Sequence, residues 1–216
     1  KKELFSGLKN LHIVTPSFWL KGKAEQSFLS EYPITVIHNG IDLNTFSYES
    51  PKTNDNRKVV LNVTDGQDER KGFFDLLKLR DYLSDDYLIR VVGVNPDKKY
   101  FKKGIEFIPH TSNVNELVEY YRNALCMVNP TYEDTFPTIN MEAAACGCPV
   151  LTYDVGGCSE TIDEYSGTLI KKGDIQGMAE EIVNCKFDRK RCSEYSRQFD
   201  KNRNYLEYMK LYEELA

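Results

Sequence analysis

Residues 125–160 read LCMVNPTYEDTFPTINMEAAACGCPVLTYDVGGCSE, and this stretch decides the fold. An apolar run at 125–128 ends in a polar loop, a helical pattern follows at 138–146, and a second apolar run occupies 149–153. A strand, a loop, a helix and a strand in this order predict a βαβ unit, which is the building block of parallel sheets.

Two loops of this unit fall where parallel sheets bind ligands, outside the carboxyl ends of the strands. These loops are residues 131–138 and 154–159. The helix that begins near Pro137 has its first free backbone N–H groups at this edge, and they suit a phosphate. In the second loop, Gly156 and Gly157 let the backbone approach a ligand closely. The same residues are also compatible with an acidic loop on an ordinary α/β domain.

Composition limits the function classes. A chain of 216 residues holds one large domain, or one domain and a fragment, and its 41% hydrophobic content suits a globular core. A net charge of −5 argues against a general nucleic-acid binder. No apolar run approaches the eighteen or so residues that span a bilayer. The six cysteines lack paired CxxC spacing, which predicts reduced core cysteines in a cytoplasm rather than a zinc site.

From Lys58 onward the chain alternates strand and helix patterns. Strands are predicted at 59–63, 88–92, 105–108 and 167–170, and helices at 73–82, 114–124, 174–184 and in two stretches within 187–215, in addition to the βαβ unit. This alternation predicts an α/β fold with a doubly wound, parallel, Rossmann-like sheet.

Residues 1–43 are predicted to form a small separate unit of a strand (11–14), a helix (18–29) capped by Ser17, and a second strand (34–37). A tight turn at 38–42 follows, and Gly40 is expected to need a positive φ there. So short a unit buries no core of its own.

Residues 44–57 are polar and rich in turn formers, so they are predicted to be a linker. Because the sequence starts at Lys1 rather than Met, we expect a piece of a longer chain.

A basic loop follows the first strand of the main unit. It carries Arg70 and Lys71 beside a predicted helix start, where a lysine point charge and an arginine fork suit a pyrophosphate. Asp134 and Glu142 supply carboxylates that suit sugar hydroxyls and a ribose diol. Together these parts suit a nucleoside diphosphate sugar, although the basic loop alone also fits a surface turn of mixed charge. His110, at another strand end, either lines the base or sugar pocket or is a simple loop histidine.

Five segments carry a resemblance to a known family: IVTPSFWL, VIHNGIDLNTF, ERKGF, NPTYEDTFPTINMEAAACGCPVLTYDVGGCSE and YLEYMKLYEEL. Together they resemble a retaining glycosyltransferase of family four with the GT-B fold, over nearly the whole chain. In that family two Rossmann-like domains face each other and the C-terminal one holds the nucleotide sugar. The resemblance implies that residues 58–198 are this domain and that 1–43 are the last strand, helix and hinge of the N-terminal one. Residues 199–216 then form the helix that crosses back towards the N-terminal domain.

The resemblance also implies roles for individual residues. Lys71 matches the lysine that contacts the donor diphosphate. The family's partner arginine falls on Asp65, so either Arg70 supplies the second charge or the diphosphate is held less strongly. The family's two glutamates fall on Asp134 and Glu142.

Further positions are implied around these. Glu133 is an alternative to Asp134 as the first carboxylate, and Glu142 would hold the ribose diol. The backbone after Phe136 normally cradles the phosphate. Since Pro137 lacks an N–H group, Thr138 and Ile139 are the expected donors.

The implied reaction moves a hexosyl group from a nucleoside diphosphate sugar to an acceptor hydroxyl with retention, in cell-surface polysaccharide or glycolipid synthesis. The catalytic candidates are Lys71, Asp134 and Glu142. No cofactor and no metal are expected, and no protein nucleophile is identifiable at the anomeric position. The resemblance implies a front-face displacement.

The expected partners are a saccharide or lipid-linked saccharide acceptor and an N-terminal domain of the same protein, with no nucleic acid. The expected location is the cytoplasm, with peripheral contact to the inner face of the membrane left open. The alternatives are another GT-B enzyme, such as a nucleotide-sugar epimerase or a phosphorylase, and a non-catalytic sugar-nucleotide-binding subunit.

Overall fold

Two parallel sheets organise the chain in a computed structural model that describes residues 2–52 and 57–216. Part of the predicted linker, residues 53–56, lies outside the described residues. After a short helix α1 (Lys2–Phe5), the smaller sheet pairs β1 (Ile13–Thr15) with β2 (Ile34–Val36), and helix α2 (Phe18–Glu25) connects the two strands.

The larger sheet has six strands: β3 (Lys58–Val63), β4 (Tyr87–Val92), β5 (Ile105–Ile108), β6 (Cys126–Asn129), β7 (Val150–Tyr153) and β8 (Gly167–Ile170). All neighbours are parallel, in the order β5-β4-β3-β6-β7-β8. The chain therefore winds outward from β3 to one edge and then returns to β6 to build the other half. This is the doubly wound order, so the predicted fold class is confirmed, and its switch point lies between β3 and β6.

Helices cover both faces of this sheet, with α3 (Phe73–Leu79) and α6 (Ile175–Asn184) on one face and α4 (Val114–Asn123) and α5 (Thr138–Ala145) on the other. Helix α7 (Arg189–Tyr195) packs on α5, and helix α8 (Lys201–Leu215) follows it. Successive strand residues point to opposite faces, so Leu61 packs in the cluster that contains α4 and α5 while Val60 packs with α3 and α6. Because both faces of the sheet are covered, its central strands β3, β6 and β7 consist mostly of apolar residues. Among the described helices, none is long and apolar enough to cross a membrane.

The predicted tight turn at 38–42 is wrong. Gly40 does not have a positive φ, and the chain turns only later, at residues 43–45. Ile41 instead lies alongside the start of α8, donating its N–H to Phe199 O at 2.8 Å and accepting from Lys201 N at 3.0 Å. A Cβ at Gly40 would lie 2.4 Å from Lys201 Cα. Glycine is therefore required by a close backbone approach rather than by a turn.

The predicted helix at 18–29 is also shorter than expected. Its cap is as predicted, since Ser17 Oγ accepts from Leu20 N at 3.1 Å. The helix ends at Glu25, and Ser27 caps a separate 3₁₀ helix (Phe28–Glu31) by accepting from Leu29 N. A second capping serine inside the apolar pattern therefore divides it in two.

Candidate functional site

A cleft of about 400 Å³ opens at the carboxyl edge of the six-stranded sheet, beside the switch point. The ends of β3, β4 and β6, the residues after β5 and the first turn of α5 form its walls. Six of the residues predicted from the sequence line it: Lys71, His110, Asp134, Phe136, Thr138 and Ile139. Asp65, at the family's usual arginine position, lines it as well.

Lys71 and Asp134 face each other across the cleft, with Nζ 3.5 Å from Oδ2, and both side chains are partly exposed. Lys71 is held there because Gly72, at φ +73, lies against the loop after β6. A Cβ at Gly72 would be 2.1 Å from Pro130 O. The other carboxylate oxygen holds the Asp134 side chain in place, since Oδ1 accepts a hydrogen bond from Phe136 N at 3.1 Å. Among the described residues that line the cleft, Lys71 is the only lysine or arginine.

The first turn of α5 presents backbone N–H groups to the same space. Pro137 is the N-cap residue, with φ −70° and ψ 110°, and Thr138 and Ile139 follow it. Within residues 2–52 and 57–216, neither of these two amides donates a hydrogen bond to the protein. Such amides carry the positive end of the helix dipole, so they favour an anion.

Glu142 lies behind this lining. It is half-buried, and its Oε2 accepts from Tyr121 OH at 3.1 Å. Burial raises the pKa of Glu142 above its ordinary value of 4.5, and the Tyr121 bond opposes the rise. Glu142 follows Thr138 by one helical turn, so the two share a helix face. Its Oε1 has no hydrogen-bond partner in the described part of the chain.

Glu142→Gln should make stability less dependent on pH. A carboxyl whose pKa is raised by folding contributes stability that is complete below about 4.5 and decreases as pH rises through the folded pKa. We therefore expect the wild-type free energy of unfolding to fall over that window and the variant's to fall less. Urea denaturation between pH 4 and 8 measures the difference, and equal slopes would contradict it.

Arg70 and Glu133 do not reach the cleft. Both line a separate open groove together with Tyr132 and Lys172. The backbone of Arg70 still supports the site, because its carbonyl accepts from Tyr132 N at 2.7 Å and from Thr131 Oγ1 at 3.2 Å. The structure therefore does not bring the Arg70 side chain to the position that Asp65 leaves without a cation.

Gly156 and Gly157 pack against the acidic loop rather than line the cleft. A Cβ at Gly156 would be 1.8 Å from Asp134 O, and one at Gly157 would be 2.0 Å from Thr135 O. Gly157 N also donates to Asp134 O at 3.1 Å. The two glycines allow the loop after β7 to hold the loop that carries Asp134.

Sequence reasoning missed two buried asparagines at the strand ends. Asn62 donates from Nδ2 to Val128 O at 2.9 Å, which links β3 to β6 at the switch point. Asn129 donates to Asn140 Oδ1 at 2.9 Å, which attaches β6 to α5. Their signal was present, since an amide at the end of an otherwise apolar strand marks a polar contact at the ligand-binding edge.

The small N-terminal unit contacts the site loops directly. His38 stacks on Phe136 with ring centroids 4.7 Å apart, and its Nδ1 lies 2.8 Å from Pro16 O. Glu160 accepts from Phe18 N and Trp19 N, both at 2.8 Å, so its carboxylate caps α2. No signal in the local sequence predicts the stacking of His38 on Phe136 or the cap from Glu160, because these partners lie about a hundred residues or more apart.

The six cysteines are free thiols, and burial raises the pKa of Cys146, Cys148 and Cys158. Within residues 2–52 and 57–216 no group of three or more His, Cys, Asp and Glu side chains is placed to hold a metal ion. Among the residues that the structure describes, the acidic and basic side chains that line the cleft are Lys71, Asp65 and Asp134, and His110 lines it as well.

The strand order and the position of the cleft are those of a Rossmann-like domain that binds its ligand at the switch point. The family model described as Glycosyl transferases group 1 matches residues 45–202, and the chain belongs to this family. The prediction of a GT-B glycosyltransferase domain is confirmed.

Two relatives illustrate the match. The chain is 29% identical over 171 residues to the putative teichuronic acid biosynthesis glycosyltransferase TuaC of Bacillus subtilis (strain 168), covering 76% of this chain and 44% of TuaC. It is 26% identical over 192 residues to the capsular polysaccharide biosynthesis glycosyltransferase CapM of Staphylococcus aureus, covering 79% and 50%. The chain therefore spans half or less of the length of these relatives.

Solved structures share the fold. Sucrose-phosphate synthase from Thermosynechococcus elongatus superposes with a TM-score of 0.85 at 20% identity, over 99% of this chain and 60% of that one. Anabaena Alr3699/HepE in complex with UDP-glucose superposes with a TM-score of 0.78 at 18% identity, over 98% and 66%.

Proposed function

We propose that this chain binds the nucleoside diphosphate sugar of a retaining hexosyltransferase whose acceptor hydroxyl belongs to a cell-surface polysaccharide or glycolipid. One observation carries the proposal: Lys71, Asp134 and the free amides of Thr138 and Ile139 surround a single cleft at the switch point. A diphosphate needs cations or helix amides, and a sugar needs carboxylate acceptors.

The diphosphate binds between Lys71 and the start of α5 in this proposal. Lys71 lies 3.5 Å from Asp134 in a partly exposed pair, so releasing it costs little, about 1 kcal/mol or less. Asp65 adds a negative charge to the same cleft, and Arg70 faces another groove. We therefore propose a donor site that relies on one side-chain cation and on the helix amides.

The carboxylates then read the donor hydroxyls. Once Lys71 turns to the diphosphate, Asp134 Oδ2 is free to accept from a sugar hydroxyl, while Oδ1 stays on Phe136 N. Glu142 is proposed to hold the ribose diol through Oε1 while Oε2 keeps its bond from Tyr121. Such a contact would favour the charged carboxylate and oppose the effect of burial on its pKa.

Transfer is proposed to occur on the front face of the sugar. The acceptor oxygen bonds to the anomeric carbon as the bond from that carbon to the phosphate oxygen breaks, and the acceptor proton moves to the leaving phosphate. Negative charge grows on the diphosphate in this step. Lys71 and the amides of Thr138 and Ile139 would stabilise it in place, without a metal.

The names of relatives support the choice of substrates. TuaC and CapM are named for teichuronic acid and capsular polysaccharide synthesis, and HepE is described with UDP and with UDP-glucose. We propose that residues 1–43 belong with an N-terminal domain that holds the acceptor, with 44–57 as the linker and 199–216 returning towards that domain. A cytoplasmic location accompanies this proposal.

Titration calorimetry with UDP, GDP and ADP, followed by their sugars, tests the donor site. We expect one nucleotide to bind clearly better than the other two, weakly in absolute terms, with no sugar transfer by this chain alone. Binding of none would favour a non-catalytic subunit. Cleavage of the nucleotide sugar to a free epimerised sugar, or transfer from a sugar 1-phosphate, would favour one of the other GT-B activities.

A further inference from the structure

A buried carboxylate outside the cleft joins the segments that form it. Asp75, near the start of α3, is 6% exposed. Its Oδ2 accepts two hydrogen bonds, from Tyr132 OH and from Tyr153 OH, both at 2.8 Å. Its Oδ1 lies 3.7 Å from the mostly exposed Nζ of Lys78. A charge is buried in a stable protein only when such bonds compensate its lost hydration, so two phenols on one oxygen indicate a specific role.

The three residues belong to three different site segments. Asp75 donates its own N–H to Gly72 O at 3.0 Å and so directly follows the loop that carries Lys71. Tyr132 stands two residues before Asp134 in the loop after β6. Tyr153 is the last residue of β7 and immediately precedes the loop that supports Asp134 through Gly157 N.

The chemistry keeps both phenols as donors. The hydrogen bond to Asp75 raises the pKa of Tyr132 to about 12, and burial together with Asp75 raises the pKa of Tyr153 further. Both hydroxyls therefore stay protonated at any physiological pH and hold the carboxylate oxygen between them. The two rings also pack edge to face, with centroids 5.6 Å apart.

We propose that Asp75 is a positioning residue that fixes Lys71 opposite Asp134 and thereby sets the affinity of the cleft for a diphosphate. The ligand part of this inference rests on the proposed function, whereas the restraint on the loops does not. Lys71 and Asp134 lie on loops that follow two different strands, and the loop of Gly156 and Gly157 (the glycine loop) follows a third. The Asp75 carboxylate connects the chain segments next to all three loops.

Hydrogen–deuterium exchange of the ligand-free protein tests the restraint. In Asp75→Asn, amides of residues 131–136 and 154–158 should exchange about fivefold faster than in the wild type or more. Tyr132→Phe should accelerate the first segment, and it is the safer variant should Asp75→Asn fold poorly. Lys78→Gln removes only the exposed partner and should change neither segment. Unchanged exchange in both Asp75→Asn and Tyr132→Phe would overturn the proposal.

A double-mutant cycle tests the link to Lys71, using the nucleotide that binds best in the titration. Asp75→Asn should weaken binding about fivefold in the wild type but by less than about twofold in a Lys71→Ala background. A fivefold loss in both backgrounds would mean a general structural role and would overturn the positioning role. If the wild type bound no nucleoside diphosphate, the proposed function would fail, while faster exchange in Asp75→Asn would still support the restraint.

Discussion

Lys71→Ala should weaken binding of the nucleoside diphosphate roughly thirtyfold, whereas Arg70→Ala should change it less than about threefold. Lys71 lines the cleft with its ammonium 3.5 Å from Asp134, and the Arg70 side chain lines a different groove. A charge-assisted hydrogen bond to a phosphate contributes about 2 kcal/mol, which corresponds to the larger factor. Titration calorimetry of the two variants side by side gives the comparison.

The neighbouring arginine is a matched control because both changes remove one positive charge from the same loop. A loss caused by net charge alone would be equal for the two. If Arg70→Ala weakened binding as much as Lys71→Ala, the loss would follow either from net charge or from a second cation at Arg70, and the assignment of the cleft to Lys71 would be wrong. Urea midpoints of both variants should stay near the wild type, since partly exposed ion pairs contribute about 1 kcal/mol or less.

Most of the fold follows from local pattern. The predicted strands at 105–108 and 167–170 coincide with β5 and β8. Both are edge strands and only partly buried, and a short, largely apolar run beside a glycine was enough to indicate them. Gly40 shows where this reasoning ends. A glycine is required at this position because the backbone of Lys201 lies too close for a side chain, and no local pattern predicts a contact between residues so far apart.

The candidate site likewise has features that the sequence predicts and features that only the structure shows. Lys71 and Asp134 were predictable because both follow strands whose carboxyl ends meet at one edge. The distinction between Lys71 and Arg70 was not, since it depends on how Gly72 packs on Pro130. Asp75 resembles any polar residue in the first turn of a helix. Its burial is visible only once Tyr132 and Tyr153 are brought to it by the sheet.

Gly156→Ala should lower the free energy of unfolding by about 3 kcal/mol or more, and Gly173→Ala by about 1 kcal/mol. Both glycines have positive φ, +57 and +78, so both substitutions strain the backbone similarly. They differ in what the new methyl group meets. At Gly156 it lies 1.8 Å from Asp134 O, whereas at Gly173 the nearest atom is Tyr132 Oη at 3.5 Å, an ordinary contact.

The difference between the two variants therefore isolates the contact with the acidic loop. To admit the methyl group, the loop that carries Asp134 must move away from Gly156. This movement displaces Asp134 itself, because its carbonyl oxygen is the atom that the methyl group meets and also the acceptor of the Gly157 N–H. We expect nucleotide binding to weaken about tenfold in Gly156→Ala and to stay within about twofold in Gly173→Ala, even at temperatures where both are fully folded. Urea denaturation and calorimetry provide the two measurements. Equal effects of the two substitutions would mean that backbone strain alone matters, and that the glycine loop does not position Asp134.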